Sequence, residues 1–153
     1  MTSTPDDHAT DRHGLEVLSL AQCLTLLRSR PVGRLAYIDA GEPTVVTVNF
    51  LVDGSSVVMR SLSGAKLDIA VVGEPVAFQL DDHDPVRRTG WSVLVRGVAM
   101  LVDDVEAIER YAQELDSWAV HDPASATWIR IVADEVSGRR IGDHDATVTD
   151  RVD

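Results

Sequence analysis

The sequence predicts a mainly β protein of α+β type, a closed or nearly closed antiparallel barrel with short flanking helices. Three observations carry this prediction. Segments rich in β-branched residues recur along the chain, separated by turn clusters such as Ala40-Gly41-Glu42-Pro43 and Asp53-Gly54. Hairpin signals outnumber any strand–helix–strand signal, which argues for antiparallel pairing. The helical patterns are few and short.

Each element follows from local chemistry. Leu20, Cys23, Leu24 and Leu27 form an apolar stripe at helical spacing. Ser19 is placed to cap that helix, with Gln22 as its capping-box partner, and Pro31 ends it after Arg30. Val32–Ile38 reads as a strand before the first turn cluster. Thr44–Val52 is a second strand, and Asp53-Gly54 sends the chain back as Ser56–Ser61. Ala65–Val72 is a short helix ended by Gly73. Pro75–Leu80 is a strand, and the acidic stretch Asp81–Arg88 reads as a loop. Trp91–Val102 is so continuously apolar that burial on both faces is expected, in a barrel wall and an interface. Asp103 and Asp104 stand where a helix N-terminus favours acids, ahead of Val105–Ser117. Thr127–Ala133 and Val136–Ile141 complete the sheet as a pair or as one bent strand.

Length and composition bound the rest. The chain of 153 residues is sized for one domain, expected over 15–141. Met1–Gly14 is expected to be a disordered leader and 142–153 a disordered tail, since neither carries an apolar repeat. The 44% hydrophobic content and mean hydropathy of −0.01 fit a globular chain. No apolar run approaches the roughly 18–20 residues of a membrane span, and Met1–Gly14 lacks a signal-peptide pattern. A cytoplasmic protein without a membrane partner is expected. The one cysteine, Cys23, leaves no disulfide framework and reads as buried packing. The net charge of −11 argues against a nucleic-acid partner, although one local basic pocket remains compatible with it. No paired-histidine spacing suggests a metal, and Asp81, Asp82, His83 and Asp84 read as a solvated acidic loop.

Three segments offer chemistry. Arg60-Ser61-Leu62-Ser63-Gly64-Ala65-Lys66 runs from a strand into a helix. Its guanidinium, hydroxyls, ammonium and glycine suit a phosphate monoester, although a solvated strand-to-helix connection uses the same residue types. Val46-Thr47-Val48-Asn49 offers backbone groups, a hydroxyl and an amide to the edge of a flat heterocycle, or forms an ordinary hairpin strand. In Arg88-Thr89-Gly90-Trp91-Ser92, Trp91 is suited either to stack on a planar cofactor or to fill core or seam, with Ser92 beside it. Trp118 and Trp128 read as core or interface residues. Arg139-Arg140 is either a phosphate clasp or a solvated pair.

These segments, in this order, resemble a known family. Val32-Gly33-Arg34-Leu35-Ala36, Pro43 to Asn49, Arg60 to Lys66 and Gly90 to Gly97 are similar to the pyridoxamine 5′-phosphate oxidase-like, FMN-binding split-barrel family. Trp128-Ile129-Arg130-Ile131 and Gly138-Arg139-Arg140-Ile141 resemble its actinobacterial branch. The likeness covers residues 17–141. It implies a split antiparallel β-barrel and a homodimer with two FMN sites at the seam, acting as an oxidoreductase on a small-molecule substrate. Val46, Thr47, Val48 and Asn49 would face the isoalloxazine edge. Arg60, Ser61, Gly64, Ala65 and Lys66 would hold the phosphate. Ser92 would touch the flavin, and Trp128 would contribute across the interface.

Departures from the family pattern narrow the activity. The sequence lacks the longer C-terminal region of authentic pyridoxamine phosphate oxidases, which argues against vitamin B6 oxidation. Arg60 stands where nitroimidazole-resistance relatives carry histidine. Alternatives on the same barrel are an F420-dependent reductase, which the acidic body disfavours, and a non-catalytic binder of flavin, haem or tetrapyrrole.

Replacing Lys66 with alanine is expected to weaken flavin binding by about 1–3 kcal/mol, the scale of a lost hydrogen bond to a charged group. Fluorescence titration with FMN measures the change, and unaltered affinity would place the phosphate elsewhere.

Overall fold

Turn chemistry and the two-residue period of the strands generate the architecture. The computed structural model describes residues 9–62, 66–115 and 126–142. In chain order its elements are β1 (Glu16–Val17), α1 (Leu20–Leu27), β2 (Val32–Asp39), β3 (Glu42–Asp53), β4 (Ser56–Leu62), α2 (Lys66–Val71), β5 (Pro75–Asp84), β6 (Thr89–Leu101), α3 (Val105–Glu114) and β7 (Ala126–Ile141). Every pairing between strands is antiparallel. The order β7-β4-β3-β2-β5-β6 closes on itself because β6 also pairs with β7. The result is a six-stranded barrel, with β1 added to β7.

Alternating side chains fill the barrel. Leu35 of β2, Phe50 of β3, Met59 of β4, Phe78 of β5, Val93 and Val95 of β6, and Ile129 and Ile131 of β7 meet in one buried cluster. Phe50 and Phe78 pack edge to face with ring centroids 4.7 Å apart, a favoured aromatic geometry. Helix α1 closes one side. Ser19 and Gln22 form the reciprocal capping box that the sequence suggests, and Cys23 and Leu27 are fully buried. Burial pushes the Cys23 thiol up from its ordinary range, which keeps it an inert hydrophobe. Gly138 of β7 admits this helix: a Cβ there would stand 2.7 Å from Cys23 Sγ.

A bulge bends β7. Arg96 pairs with Glu135 and Gly97 with Ala133, so Asp134 is the extra residue. Gly97 lies where the backbones come closest, since a Cβ on it would be 2.0 Å from the Val132 carbonyl oxygen. Val132–Ile141 therefore continues one long bent strand, one of the two arrangements the sequence leaves open.

Several boundaries depart from expectation. Helix α1 ends at Leu27, three residues before Arg30, where Arg28 and Ser29 donate their N–H groups back to Leu24 and Leu26. Asp81–Asp84, expected as loop, extends β5 and pairs with Thr89–Ser92. These polar residues form strand because Thr89–Ser92, with which they pair, is itself held in the sheet by Arg139–Ile141 of β7. Strand β6 is not buried on both faces: Val93, Val95 and Ala99 point inward, while Ser92, Arg96 and Met100 are exposed. Residues 9–14, expected within a disordered leader, turn back so that Thr10 bridges Glu16 and the Asp11 carboxylate accepts the His13 and Leu15 N–H groups. Most of the tail from 142 onward, and Trp118, lie outside the described residues. Among the described residues no helix is long and apolar enough to cross a membrane.

The barrel is split between β3 and β4. Strand β3 pairs with β2 along Glu42–Asn49 and with β4 only along Phe50–Asp53. It changes partner at Asn49 and Phe50. Beyond Phe50–Met59, β3 and β4 part, and β4 continues against β7 alone through Leu62.

The Gly97→Ala variant is expected to lose about 3 kcal/mol, at the upper end for overpacking, because the clash is with backbone rather than a movable side chain. Urea unfolding midpoints would show the loss.

Candidate functional site

The parting of β3 from β4 leaves a backbone edge with hydrogen-bonding groups that β4 does not reach. Alternation sorts the side chains there. Val46 and Val48 pack against the barrel core, whereas Thr47 is exposed on the outer face and Asn49 donates its Nδ2 to the Pro31 carbonyl, 3.2 Å away. Thr47 and Asn49 thus form one outer lip of the split.

Arg60 and Trp128 form the other lip. They are direct cross-strand partners on β4 and β7, so both point outward. The guanidinium carbon of Arg60 lies over the Trp128 indole, 5.5 Å from its centroid. Arg60 Nε is buried and has no hydrogen-bond partner among the described residues. Trp128 is nearly fully buried, with Tyr111 of α3 on another side at 5.9 Å between centroids.

Tyr111 ends in a charged knot. Its hydroxyl donates to Asp53 and receives a hydrogen bond from Arg130. Arg110 also reaches Asp53 at 3.2 Å, and Arg130 does so at 3.4 Å. The Tyr111 hydrogen bond, opposed by burial and aided by the two guanidinium charges, holds the Asp53 carboxyl below its usual range.

The other expected residues lie apart from this group. Ser61 follows Arg60 on β4 and therefore faces the interior, where it is buried. Residues 63–65, including Gly64 and Ala65, and the Lys66 side chain lie outside the described residues, so the expected phosphate cluster is described only at Arg60 and Ser61. Trp91 and Ser92 pair with Arg140 and Arg139 at the far end of β7. Trp128 and Arg139 are separated by eleven residues of that strand, a span on the order of 30 Å. Within one chain, Trp91 and Ser92 do not share a site with Arg60 and Trp128.

Trp91 and Arg140 line a cavity of about 370 Å³ at the barrel mouth, with Asp82, His83 and Asp84 on its rim. On that rim Asp82 pairs with Arg30, and Asp84 accepts the Val86 and Arg87 N–H groups; neighbouring Asp81 pairs with Arg34 at 3.0 Å. Arg139 is clasped by Asp11 at 3.1 Å, and Arg140 is 3.9 Å from Glu16. Among the described residues no group of three or more His, Cys, Asp or Glu side chains is arranged to hold a metal.

Comparison with known proteins places this architecture. The family model described as "Pyridoxamine 5′-phosphate oxidase" matches residues 19–140. The chain belongs to the pyridoxamine 5′-phosphate oxidase family. An uncharacterised family relative in Mycobacterium tuberculosis is 38% identical over 141 residues, covering 82% of this chain and 93% of its own. The structure of the FAD binding protein from Mycobacterium smegmatis is similar at 32% identity and a TM-score of 0.71, covering 82% of this chain and 99% of that one. A FAD-binding protein from Mesorhizobium loti aligns at 25% identity and a TM-score of 0.67, over 84% and 99% of the two chains.

The sequence singles out Arg60 and Trp128 as candidates, and the structure brings them together; it does not single out Asp53, Tyr111 and Arg130, which converge beside them. Ala107 and Tyr111, four apart on α3, carried a signal, since together they make the buried stripe of that helix.

The Asp53 pairings have a pH consequence. A carboxylate whose folded pKa is depressed stabilises the fold above its unfolded value and loses that contribution as pH falls through the folded one. Wild-type protein is therefore expected to lose more melting temperature than Asp53→Asn between about pH 5 and pH 3, a window reaching below the unfolded carboxylate pKa of about 3.9. Parallel melts at the two pH values measure this, and equal losses would count against the pairing.

Proposed function

We propose that this chain is a flavin-binding oxidoreductase that works as a homodimer, with the flavin nucleotide in the split between β3 and β4. The observation that carries the reading is Arg60: a guanidinium held over Trp128, with a buried Nε that has no partner among the described residues, beside a strand edge that β4 has left. An N–H donor removed from water without an acceptor costs about 1–3 kcal/mol. A phosphate oxygen would satisfy it with a charge-assisted bond.

The residues present fit a flavin. Arg60, with Lys66 nearby in sequence, would hold the phosphate. The edge of Val46–Asn49, with Thr47 and Asn49 outward, would meet the ring, and the buried Trp128 would back the Arg60 guanidinium. The bound flavin supplies the redox chemistry, and the chain supplies orientation and a fixed positive charge. FMN and FAD share the ring and its first phosphate. The names of the Mycobacterium smegmatis and Mesorhizobium loti proteins favour FAD as the occupant over the mononucleotide.

The homodimer is supported by the outer face of the sheet. The register lays Val45, Ala36 and Ala77 in one row, which ends at the Arg96–Glu135 ion pair, and beside it Pro43 pairs with Ile38, Pro75 with Val98, and Val98 with Val132. Val45 is 63% exposed, Ile38 56% and Val132 48%. A contiguous apolar band of this kind marks a surface that another protein covers, and a twofold copy is the commonest cover. Pairing would also let the Trp91–Ser92 end of one chain approach the Arg60–Trp128 end of its partner, which one chain alone cannot achieve.

The deciding experiment is to purify the protein, record its visible spectrum and identify the released chromophore by mass spectrometry against FMN, FAD and F420. A flavin spectrum is expected, with FAD as the released species. A colourless protein that takes up none of the three would overturn the assignment.

Val132→Glu, which sets a charge in the apolar band, is expected to shift the protein from dimer to monomer in light scattering and to release the flavin. A wild-type monomer at micromolar concentration would remove the dimer.

A further inference from the structure

We propose that Tyr111 is a positioning residue for Arg60, acting through the Trp128 indole that both of them touch. The inference rests on the reading that Arg60 receives the flavin phosphate.

The packing around Tyr111 is separate from the barrel interior. Val58, Ala107, Tyr111, Leu115 and Trp128 form a second buried cluster on the outer face, with Leu51, Val102 and Ile108 against it. The barrel core closes without this group, so what the group holds in place is the outer lip of the split. Tyr111 is fully buried, yet its hydroxyl reaches a carboxylate and a guanidinium. A phenylalanine would fill the same space. The hydroxyl adds a fixed direction: it pins the ring to Asp53, which sits in the turn joining β3 to β4.

The chain of contacts is short. Asp53 and Arg130 hold the phenol, the phenol ring backs Trp128 at 5.9 Å, and Trp128 carries the Arg60 guanidinium at 5.5 Å. A guanidinium stacked on an aromatic face has its plane set by that face. If Tyr111 is free to rock, Trp128 gains room and Arg60 must be ordered anew at each binding event. Ordering one rotamer-rich side chain costs about 0.5–1.5 kcal/mol, or about two- to tenfold in affinity.

The test compares two probes, riboflavin, which has no phosphate, and FMN, which has one. The ratio of their dissociation constants isolates the phosphate contribution. Tyr111→Phe is expected to shrink that ratio about three- to tenfold while leaving riboflavin affinity unchanged. Arg60→Ala is expected to shrink it further. A purely structural role for Tyr111 would weaken both probes alike or neither, and either result would overturn the positioning role. If Arg60→Ala leaves the ratio intact, the phosphate reading itself fails and the positioning role fails with it. If Arg60→Ala shrinks the ratio and Tyr111→Phe does not, only the positioning role fails. Should Tyr111→Phe not fold, Asp53→Ala removes the acceptor from the same hydroxyl and is read by the same ratio and the same outcomes.

Discussion

Strand β7 bonds to two neighbours at once, and the shape of the molecule follows from that. Its first six residues pair with β4, while Ile129 onward pairs with β6. Once Val57–Leu62 is committed to β7, β4 diverges from β3 beyond the Phe50–Met59 pair. Strand β3, committed to β2 along eight residues, holds its own course. The two strands separate by geometry, without a breaking residue at the point of parting. An open strand edge is a liability that proteins normally cover. Here, among the described residues, the edge lies unpaired next to Arg60, whose Nε lacks an acceptor, so one bound molecule with a flat polar edge and an anionic end would meet both needs.

The same pairing decides which way the site faces. Arg60 and Trp128 are opposite each other in register, so they share the outer face, and their stacking is a consequence of strand pairing. A cation–π contact is worth about 0.5–2 kcal/mol depending on desolvation. That orients a guanidinium but does not replace its hydrogen bonds. The arrangement is that of a charge held ready for a partner. The net charge of −11 is not the charge of this face, where Asp53 is bound by Tyr111, Arg110 and Arg130.

Most of the fold was legible because its signals are local. The Ser19–Gln22 cap and the Asp53-Gly54 hairpin each depend on residues within a few positions of one another. The Asp81–Asp84 extension was not legible, because polarity marks exposure, and an edge strand carries the same polar residue types as a loop. The outer face of β6 misled for the opposite reason: its apolar residues look like core in one chain, yet Met100 stands in the open. At the candidate site, residue types pointed to Arg60, and the family resemblance pointed to Trp128. They did not reveal that Ser61 turns inward, since a phosphate cluster written as consecutive residues ignores the alternation of a strand. Nor did they reveal that Asp53, Arg130 and Tyr111 converge, which requires the closure of the barrel.

The barrel interior itself leaves no room for a ligand of flavin size. Phe50, Met59, Phe78, Ile129 and Ile131 fill it to full burial or nearly so. A packed interior of this kind has few voids larger than a water molecule. The binding surface must then lie outside the barrel, where a single chain offers a lip, an edge and a stacked cation but no opposing wall. The apolar band across β3, β2, β5, β6 and β7 is the natural place for that wall to come from, because burying it brings a second chain against the same outer face. In the proposed arrangement flavin binding and dimer formation would be one linked equilibrium: each would supply surface that the other needs, so stripping the cofactor would loosen the dimer and dilution would release the cofactor.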